Sequence, residues 1–197
     1  MIKHIRCVVG LGNPGAQYEL TRHNAGYWLV DHFADELNAR FTDEKNLFSL
    51  VAKAHFEGRT VYFAKPNTFM NRSGQAVAAL ARFFKIQPEE FLVLHDELDL
   101  IPGAVKIKFG GGHAGHNGLR DIQKALSSPN FWRLRFGIGH PRDSGSNQAV
   151  ASYVLSSPRK TEWPDIEIAL QRCQVQLPHL LRTEMELVAQ QLHGAHK

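Results

Sequence analysis

The chain contains two kinds of hydrophobic pattern, one typical of strands and one typical of helices. Residues 5–9 and 91–94 are short, mainly apolar runs, which predict buried strands. Residues 48–56 and 60–64 are also β-like, and the Glu-Gly-Arg of residues 57–59 between them predicts a hairpin turn. These segments form the first part of a predicted sheet.

Apolar residues recur at the spacing of a helix in five other segments. Proline is tolerated at first helical positions, and it opens the fourth and the fifth of these segments. The predicted helices cover residues 25–37, 77–84, 119–126, 164–173 and 178–192.

Residues 105–109 and 133–138 alternate apolar with basic side chains, which predicts strands with one apolar and one cationic face. If the two strands are neighbours in the sheet, their basic side chains form one patch suited to phosphate. The alternative is a solvated strand face whose lysines protect a sheet edge. The basic residues are Lys106, Lys108, Arg133 and Arg135.

Strands mixed with helices, together with one hairpin, predict an α/β fold. We expect a three-layer α/β/α sandwich around a twisted, mixed β-sheet. At 197 residues, the chain is most simply a single domain over residues 1–197, with C-terminal helices at about 158–193 packing on it. Hydrophobic residues make up 43% of the chain and charged residues 21%, which excludes wholesale disorder.

The charge and the cysteines narrow the class of protein. A formal net charge of +4 suits an acidic partner such as RNA, provided that the basic residues cluster. The spacing of Cys7 and Cys173 indicates neither a disulfide framework nor a zinc cluster, which favours a reducing cytosol. The N-terminal MIKHIRCVVG lacks an apolar stretch long enough for a signal peptide or a membrane span. We therefore expect a cytoplasmic protein without membrane attachment.

Residues 10–15, Gly-Leu-Gly-Asn-Pro-Gly, match the G-x-G-x-x-G pattern of a dinucleotide-binding loop. The context does not fit that function, because several residues separate Gly15 from the first helix and Pro14 removes a backbone donor. Asp31, at about the distance where the pattern needs an acidic residue, falls inside the predicted helix. We therefore expect no organic cofactor. The loop presents Asn13 at the end of a strand, although Asn-Pro-Gly is also ordinary turn chemistry.

Polar side chains lie at comparable strand or loop ends elsewhere. His23 precedes the first helix, Asn71 the second and Asn117 the third, while Asp96 follows the strand of residues 91–94. Each has a structural explanation, since asparagine commonly caps helices and a lone histidine or aspartate is often structural. As a set, they describe a histidine base that a carboxylate orients to activate water, with amides that hold a carbonyl. The positive end of the first helix is expected to keep His23 neutral.

Other reaction classes fit less well. The sequence has no G-x-S-x-G motif and no cysteine placed like a nucleophile, which disfavours covalent acyl transfer. His95, Asp96, His113 and His116 could supply metal ligands, but H-x-x-H in a glycine-rich loop lacks helical ligand spacing. We therefore expect no metal. The glycine-rich loop, residues 110–115, is either a phosphate cradle or a mobile flap, and we favour the flap.

Four stretches between about residues 8 and 141 resemble, in order, the sequences of bacterial peptidyl-tRNA hydrolases. They are VVGLGNPGAQYELTRHNAGY, KPNTFMNRSGQAV, HDELDLIPGAVKIKFGGGHAGHNGLRDI and RLRFGIGHP. The resemblance implies an enzyme that hydrolyses the ester between a peptidyl group and the 3′ ribose of tRNA, and so recycles tRNA. It also implies a monomer that needs no metal, organic cofactor or protein partner and that contacts the acceptor stem and 3′ CCA end.

The resemblance also assigns roles to matching positions of this sequence. His23 would be the base that activates water, Asp96 would orient it, and Asn71 would hold the scissile carbonyl. Asn13 would line the catalytic pocket, and Asn117 would bind substrate or position water near the tRNA 3′ end.

Two binding regions follow from the same resemblance. Tyr18 and Met70 would shape the peptide channel, and Lys108 and Arg135 would bind the 5′ phosphate of the tRNA. The alternative function is that of a non-catalytic RNA-binding relative with the same fold. A nucleotide-cofactor enzyme and an esterase for small substrates are weaker alternatives, and the esterase would not explain the paired basic strands.

Overall fold

The structure is a computed structural model that describes residues 3–193. Within that range the strands are β1 (Cys7–Gly10), β2 (Thr42–Glu44), β3 (Ser49–Phe56), β4 (Arg59–Pro66), β5 (Phe91–Glu97), β6 (Val105–Phe109) and β7 (Trp132–Gly137). They form one seven-stranded sheet in the order β2-β3-β4-β1-β5-β7-β6. β1 is parallel to β4 and β5, and β5 is parallel to β7, whereas β2, β3 and β6 run antiparallel to their neighbours. The predicted mixed sheet and the β3–β4 hairpin are confirmed.

Helices cover both faces of this sheet. They are α1 (Ala25–Glu36), α2 (Ser73–Phe84), α3 (Asn117–Leu126), α4 (Val150–Val154), α5 (Trp163–Val175), α6 (Leu177–Leu181) and α7 (Met185–His193). Because successive side chains of a strand point to opposite faces, Val8 of β1 packs in the core beneath α1 and α5, and Val9 packs beneath α2 and α3. The predicted three-layer α/β/α sandwich is confirmed.

The C-terminal helices share the core beneath α1. α5 contacts α1, and α7 lies against β6 at the edge of the sheet. There the backbone N–H of Ile107 donates to His193 Nε2 at 2.9 Å, which satisfies one exposed donor of the edge strand. Between residues 3 and 193, no helix is long and apolar enough to cross a membrane.

The single helix predicted over residues 178–192 is wrong, because the chain forms α6 and α7 there. Between them Thr183 adopts a left-handed backbone with φ of 60°, which a continuous right-handed helix does not contain. No hydrophobic pattern predicts β2 or α4, because a segment of three or five residues is too short to show a period.

The carboxyl ends of β1, β5 and β7 lie side by side at one edge of the sheet. Gly10 of β1 pairs with Leu94 of β5, and Asp96 of β5 pairs with Phe136 of β7. α1 begins directly against this edge, since a Cβ on Gly26 would lie 2.4 Å from the carbonyl oxygen of Leu94. Only glycine permits this approach, which brings the residues before α1 next to the end of β5.

Candidate active site

A buried carboxylate lies at the centre of this edge. Asp96 is 3% exposed, and two imidazoles contact it. His23 Nδ1 is 2.8 Å from Asp96 Oδ2, and His116 Nε2 is 2.8 Å from Oδ1. An ionised carboxylate only accepts hydrogen bonds, so each of these ring nitrogens donates. The structure thus brings His23 and Asp96 together and adds a second histidine to them.

His23 occupies a 3₁₀ turn, residues 22–24, that leads directly into α1. Asn24 holds this turn against the loop after β1: its Oδ1 accepts from the N–H of Asn13 at 2.9 Å, and its Nδ2 donates to the Asn13 carbonyl at 3.0 Å. Because His23 Nδ1 donates to Asp96, Nε2 is the nitrogen left to accept a proton. The ring has the orientation that a general base requires.

Opposing effects act on the pKa values of this pair. Burial disfavours the imidazolium, but the charge of Asp96 and the hydrogen bond to it outweigh burial and raise the pKa of His23. Burial also opposes ionisation of Asp96, yet the imidazoles of His23 and His116 hold the pKa of its carboxyl well below its usual range. The sequence indicates only the effect of the helix end, whereas the adjacent carboxylate acts in the opposite direction and raises the pKa of His23.

His116 is a member of this cluster for which the sequence predicted no role beyond metal binding. It is the N-cap of α3, where its Nδ1 accepts from the N–H of Leu119 at 3.2 Å. Because Nδ1 accepts and Nε2 donates to Asp96, the two bonds fix the orientation of the ring. The sequence did contain a signal for this role, because His116 directly precedes the third helix. The prediction assigned that position to Asn117 instead.

The predicted asparagines occupy different environments. Asn13 is 7% exposed, and its Oδ1 accepts from the N–H of Met70 at 2.7 Å, which leaves its Nδ2 without a partner among the described residues. Asn71 is exposed in the turn before α2, and Asn117 is exposed at the first residue of α3. Neither caps its helix, because the N-cap of α3 is His116 and that of α2 is the residue after Asn71.

A cavity of about 610 Å³ opens beside the Asp96 cluster. It brings together His23, Asp96, Lys108, Asn117 and Arg135, which all line it. Within residues 3–193 its lining leaves out the other predicted site residues, which are Asn13, Tyr18, Met70 and Asn71.

These other residues form a second group, which lies near His116. The rings of Tyr18 and Phe69 pack edge to face with centroids 6.3 Å apart. Met70 is buried, and its sulfur lies close to Gly118. A Cβ atom on Gly118 would be 2.6 Å from the Met70 sulfur and 3.1 Å from the His116 ring. The second group therefore adjoins the imidazole cluster, although it lies outside the cavity.

The two basic strands are neighbours, as the patch prediction requires. β6 pairs with β7 so that Lys106 lies opposite Arg135, and Lys108 lies opposite Arg133. Both lysines are exposed. Arg135 is partly buried, and its Nε donates to Glu97 Oε1 at 2.8 Å. The strands therefore present one basic surface at the edge of the cavity.

Arg133 is an exception, because it is 2% exposed and bonds the glycine-rich loop. Its guanidinium donates to the carbonyls of Gly112 at 2.7 Å, Gly111 at 2.9 Å and Pro129 at 3.1 Å. Gln123 Nε2 also donates to the Gly111 carbonyl at 3.1 Å. The first half of the loop is thus held by hydrogen bonds, and its movement as a flap stays a prediction.

The structure groups a different set of possible metal ligands from the one considered above. His95 is buried, and burial is the main cause that lowers its pKa to about 3, while its Nδ1 donates to the Asp96 carbonyl at 2.8 Å. One atom each of His23, Asp96 and His116 lies within 4.8 Å of the others, and such a set could hold a metal. In the structure the nitrogens that face Asp96 bond its two oxygens. The absence of a metal stays a prediction.

Comparisons with known proteins extend over nearly the whole chain. The family model described as peptidyl-tRNA hydrolase matches residues 7–197. The peptidyl-tRNA hydrolase of Bordetella avium is 60% identical over 195 residues, which cover 99% of this chain and 94% of the relative. That of Bordetella parapertussis is 59% identical over 191 residues, which cover 97% and 89%.

A solved structure is similar as well. The crystal structure of peptidyl-tRNA hydrolase from Acinetobacter baumannii is 39% identical and has a TM-score of 0.92, covering 98% of this chain and 97% of that one. The similarity includes the C-terminal helices, where the sequence motifs were not diagnostic.

Proposed function

This chain belongs to the peptidyl-tRNA hydrolase family, and we propose that His23 is the general base with which it cleaves its substrate. The enzyme hydrolyses the ester that joins a peptide to tRNA, and the family match favours this function over a non-catalytic RNA-binding relative. The observation that carries the proposed role of His23 is its 2.8 Å contact with Asp96.

The proposed reaction moves one proton through His23. Nε2 takes a proton from water as the water oxygen attacks the ester carbonyl carbon. Asp96 keeps Nδ1 protonated and stabilises the imidazolium that forms. When the ester C–O bond breaks, the imidazolium returns the proton to the leaving 3′ oxygen, so the products are a free tRNA hydroxyl and a peptide carboxylic acid, which then loses its remaining proton to solvent. General-base catalysis of this kind contributes about 10²–10⁴-fold.

Neutral amide donors are suited to the oxyanion that forms in this reaction. We assign that role to Asn71, whose exposed side chain lies in a turn that Asn13 holds through the N–H of Met70. Asn13 Nδ2 has no partner within the described residues and is a second donor beside the same turn. Amides stabilise developing negative charge without adding a counter-charge to the ground state.

The basic edge of the cavity is suited to the tRNA. Lys108 is exposed, and Arg135 keeps its terminal guanidinium nitrogens available while its Nε bonds Glu97. We assign the 5′ phosphate to these two side chains, because a phosphate accepts from several donors at once. Asn117 lines the same cavity as Asp96, Lys108 and Arg135, and we assign to it the 3′ end or the attacking water.

We assign the peptide to the second group, which lies near His116. Tyr18 and Met70 offer an aromatic ring and a flexible thioether, which contact varied side chains without demanding one shape. We further propose that the enzyme acts as a cytoplasmic monomer without an obligate protein partner. Light scattering on the purified chain tests the monomer directly.

Release of an N-blocked amino acid from aminoacyl-tRNA tests the proposed function. We expect release from the N-blocked tRNA ester, little hydrolysis of a small model ester, and no loss of activity when a chelator is added. Hydrolysis of both esters at similar kcat/KM would favour the general esterase. Activity abolished by the chelator would assign a metal to His23, Asp96 and His116.

A further inference from the structure

A buried guanidinium directly precedes the proposed base. Arg22 is 4% exposed, and burying its charge is costly unless its donors are bonded. Its Nη1 donates to the Tyr153 carbonyl at 3.1 Å and to Ser156 Oγ at 2.6 Å, and its Nη2 donates to Glu162 Oε1 at 3.1 Å. The residue next to His23 is therefore fixed to α4, to the segment after it and to the start of α5.

Two further contacts strengthen the same connection. The backbone N–H of Arg22 donates to the Ser156 carbonyl at 3.0 Å, and the guanidinium lies 3.8 Å from the centroid of the Tyr153 ring. The Tyr153 hydroxyl donates to the Ile138 carbonyl at 2.7 Å, directly after β7. Arg22 thus links the turn of His23 with α4 and, through Tyr153, with the end of β7.

Other residues of α4 face the catalytic cavity. Val150, Ala151 and Val154 line that cavity together with His23. One short helix is therefore bonded to Arg22 at its end while its apolar residues form a wall of the site.

We propose that Arg22 is a positioning residue, which sets the placement of His23 relative to Asp96 and to the cavity wall formed by α4. The proposal rests on the role of His23 as base. The planar guanidinium bonds a carbonyl, a hydroxyl and a carboxylate at once, and a lysine ammonium cannot reproduce that geometry. Displacement of a catalytic group by about 1 Å can cost about 100-fold in rate. Loss of the Arg22 contacts should therefore displace His23 and lower the rate of hydrolysis.

Arg59 supplies a matched control in the same fold. Its guanidinium also donates to backbone carbonyls, those of Ile5 and Leu181, and lies 5.8 Å from the Phe56 ring centroid. It therefore makes comparable structural contacts, but these contacts join β4 to the segment before β1 and to α6 instead of the site.

The experiment compares Arg22→Gln, Arg22→Lys and Arg59→Gln by melting temperature and by steady-state kinetics on N-blocked aminoacyl-tRNA. We expect Arg22→Gln to lower kcat by about 10- to 100-fold and to raise KM, with Arg22→Lys intermediate. In Arg22→Gln, the acid limb of the kcat–pH profile should move to lower pH, because a displaced His23 loses the Asp96 contact that raises its pKa. Arg59→Gln should lower the melting temperature without changing kcat, KM or the profile.

Ser156→Ala keeps the test decisive if Arg22→Gln does not fold, because it removes a single partner of Arg22. We expect a smaller fall in kcat with the same shift of the acid limb. The proposal is overturned if the folded variants at Arg22 and Ser156 keep the kinetic constants and profile of Arg59→Gln. A His23→Ala enzyme with normal turnover would instead overturn the proposed function, so the two failures are distinguishable.

Discussion

The two polar walls of the cavity are held in opposite ways. At one wall the Asp96 carboxylate is buried and both of its oxygens accept hydrogen bonds, from His23 and His116. At the other wall Lys108 is exposed, and it makes no hydrogen bond or ion pair with another described residue. Fixed buried bonds determine geometry, whereas exposed charges act over a distance and are screened by salt. The first wall should therefore determine kcat, and the second should determine tRNA affinity.

The largest expected effect is that of Asp96→Asn. An amide has one oxygen and an NH₂ group, so it cannot accept from both imidazoles as the carboxylate does. We expect kcat to fall by about 10²–10⁴-fold, with tRNA affinity unchanged, because base catalysis contributes about that much. Steady-state kinetics measures kcat, and a filter-binding experiment measures the affinity for tRNA. Asp43→Asn, at an exposed position on β2, is the control and should change neither quantity.

The next effect is on the pH dependence of the wild type. The unprotonated ring of His23 is the active form, and its pKa is raised above the ordinary 6.5 by Asp96. We therefore expect kcat to fall as pH decreases, by about tenfold per unit well below that pKa. A kcat profile under saturating tRNA measures this limb. An acid limb at or below 6.5 would contradict the raised pKa.

The basic wall predicts a smaller effect that depends on salt. Lys108→Ala should weaken tRNA binding by about tenfold and reduce the slope of log K against log salt by about 1, with kcat unchanged. Lys53→Ala removes an exposed lysine on β3 and is the matched control. An unaltered salt slope in the Lys108 variant would show that this lysine does not contact phosphate.

The smallest effect concerns the edge strand that carries Lys108. His193→Ala removes the acceptor for the Ile107 N–H. We expect the free energy of unfolding to fall by about 0.5–1.5 kcal/mol, with kcat unaffected. Urea denaturation measures the change. If His193→Ala lowered kcat without lowering the free energy of unfolding, β6 would also contribute to the wall that contains Asp96.

The sequence predicts the sheet and most helices because their hydrophobic periods are long and regular, as in residues 48–64. It does not predict the break at Thr183, since a left-handed backbone at one non-glycine residue does not change the pattern of apolar positions. His23 and Asp96 are identifiable from their places at element ends. His116 also lies directly before a helix, but the sequence prediction gave that position to Asn117, and only the structure shows that the His116 ring bonds Asp96. The burial of Arg133 is also unpredictable, since alternation places it on a polar face that the glycine-rich loop covers.

The most direct test of the account is single-turnover hydrolysis of N-blocked aminoacyl-tRNA by His23→Ala at saturating enzyme. The imidazole is proposed to supply base catalysis and nothing to tRNA affinity. The account predicts a rate about 10²–10⁴-fold below that of the wild type, with an unchanged dissociation constant for tRNA. A rate equal to that of the wild type would contradict it.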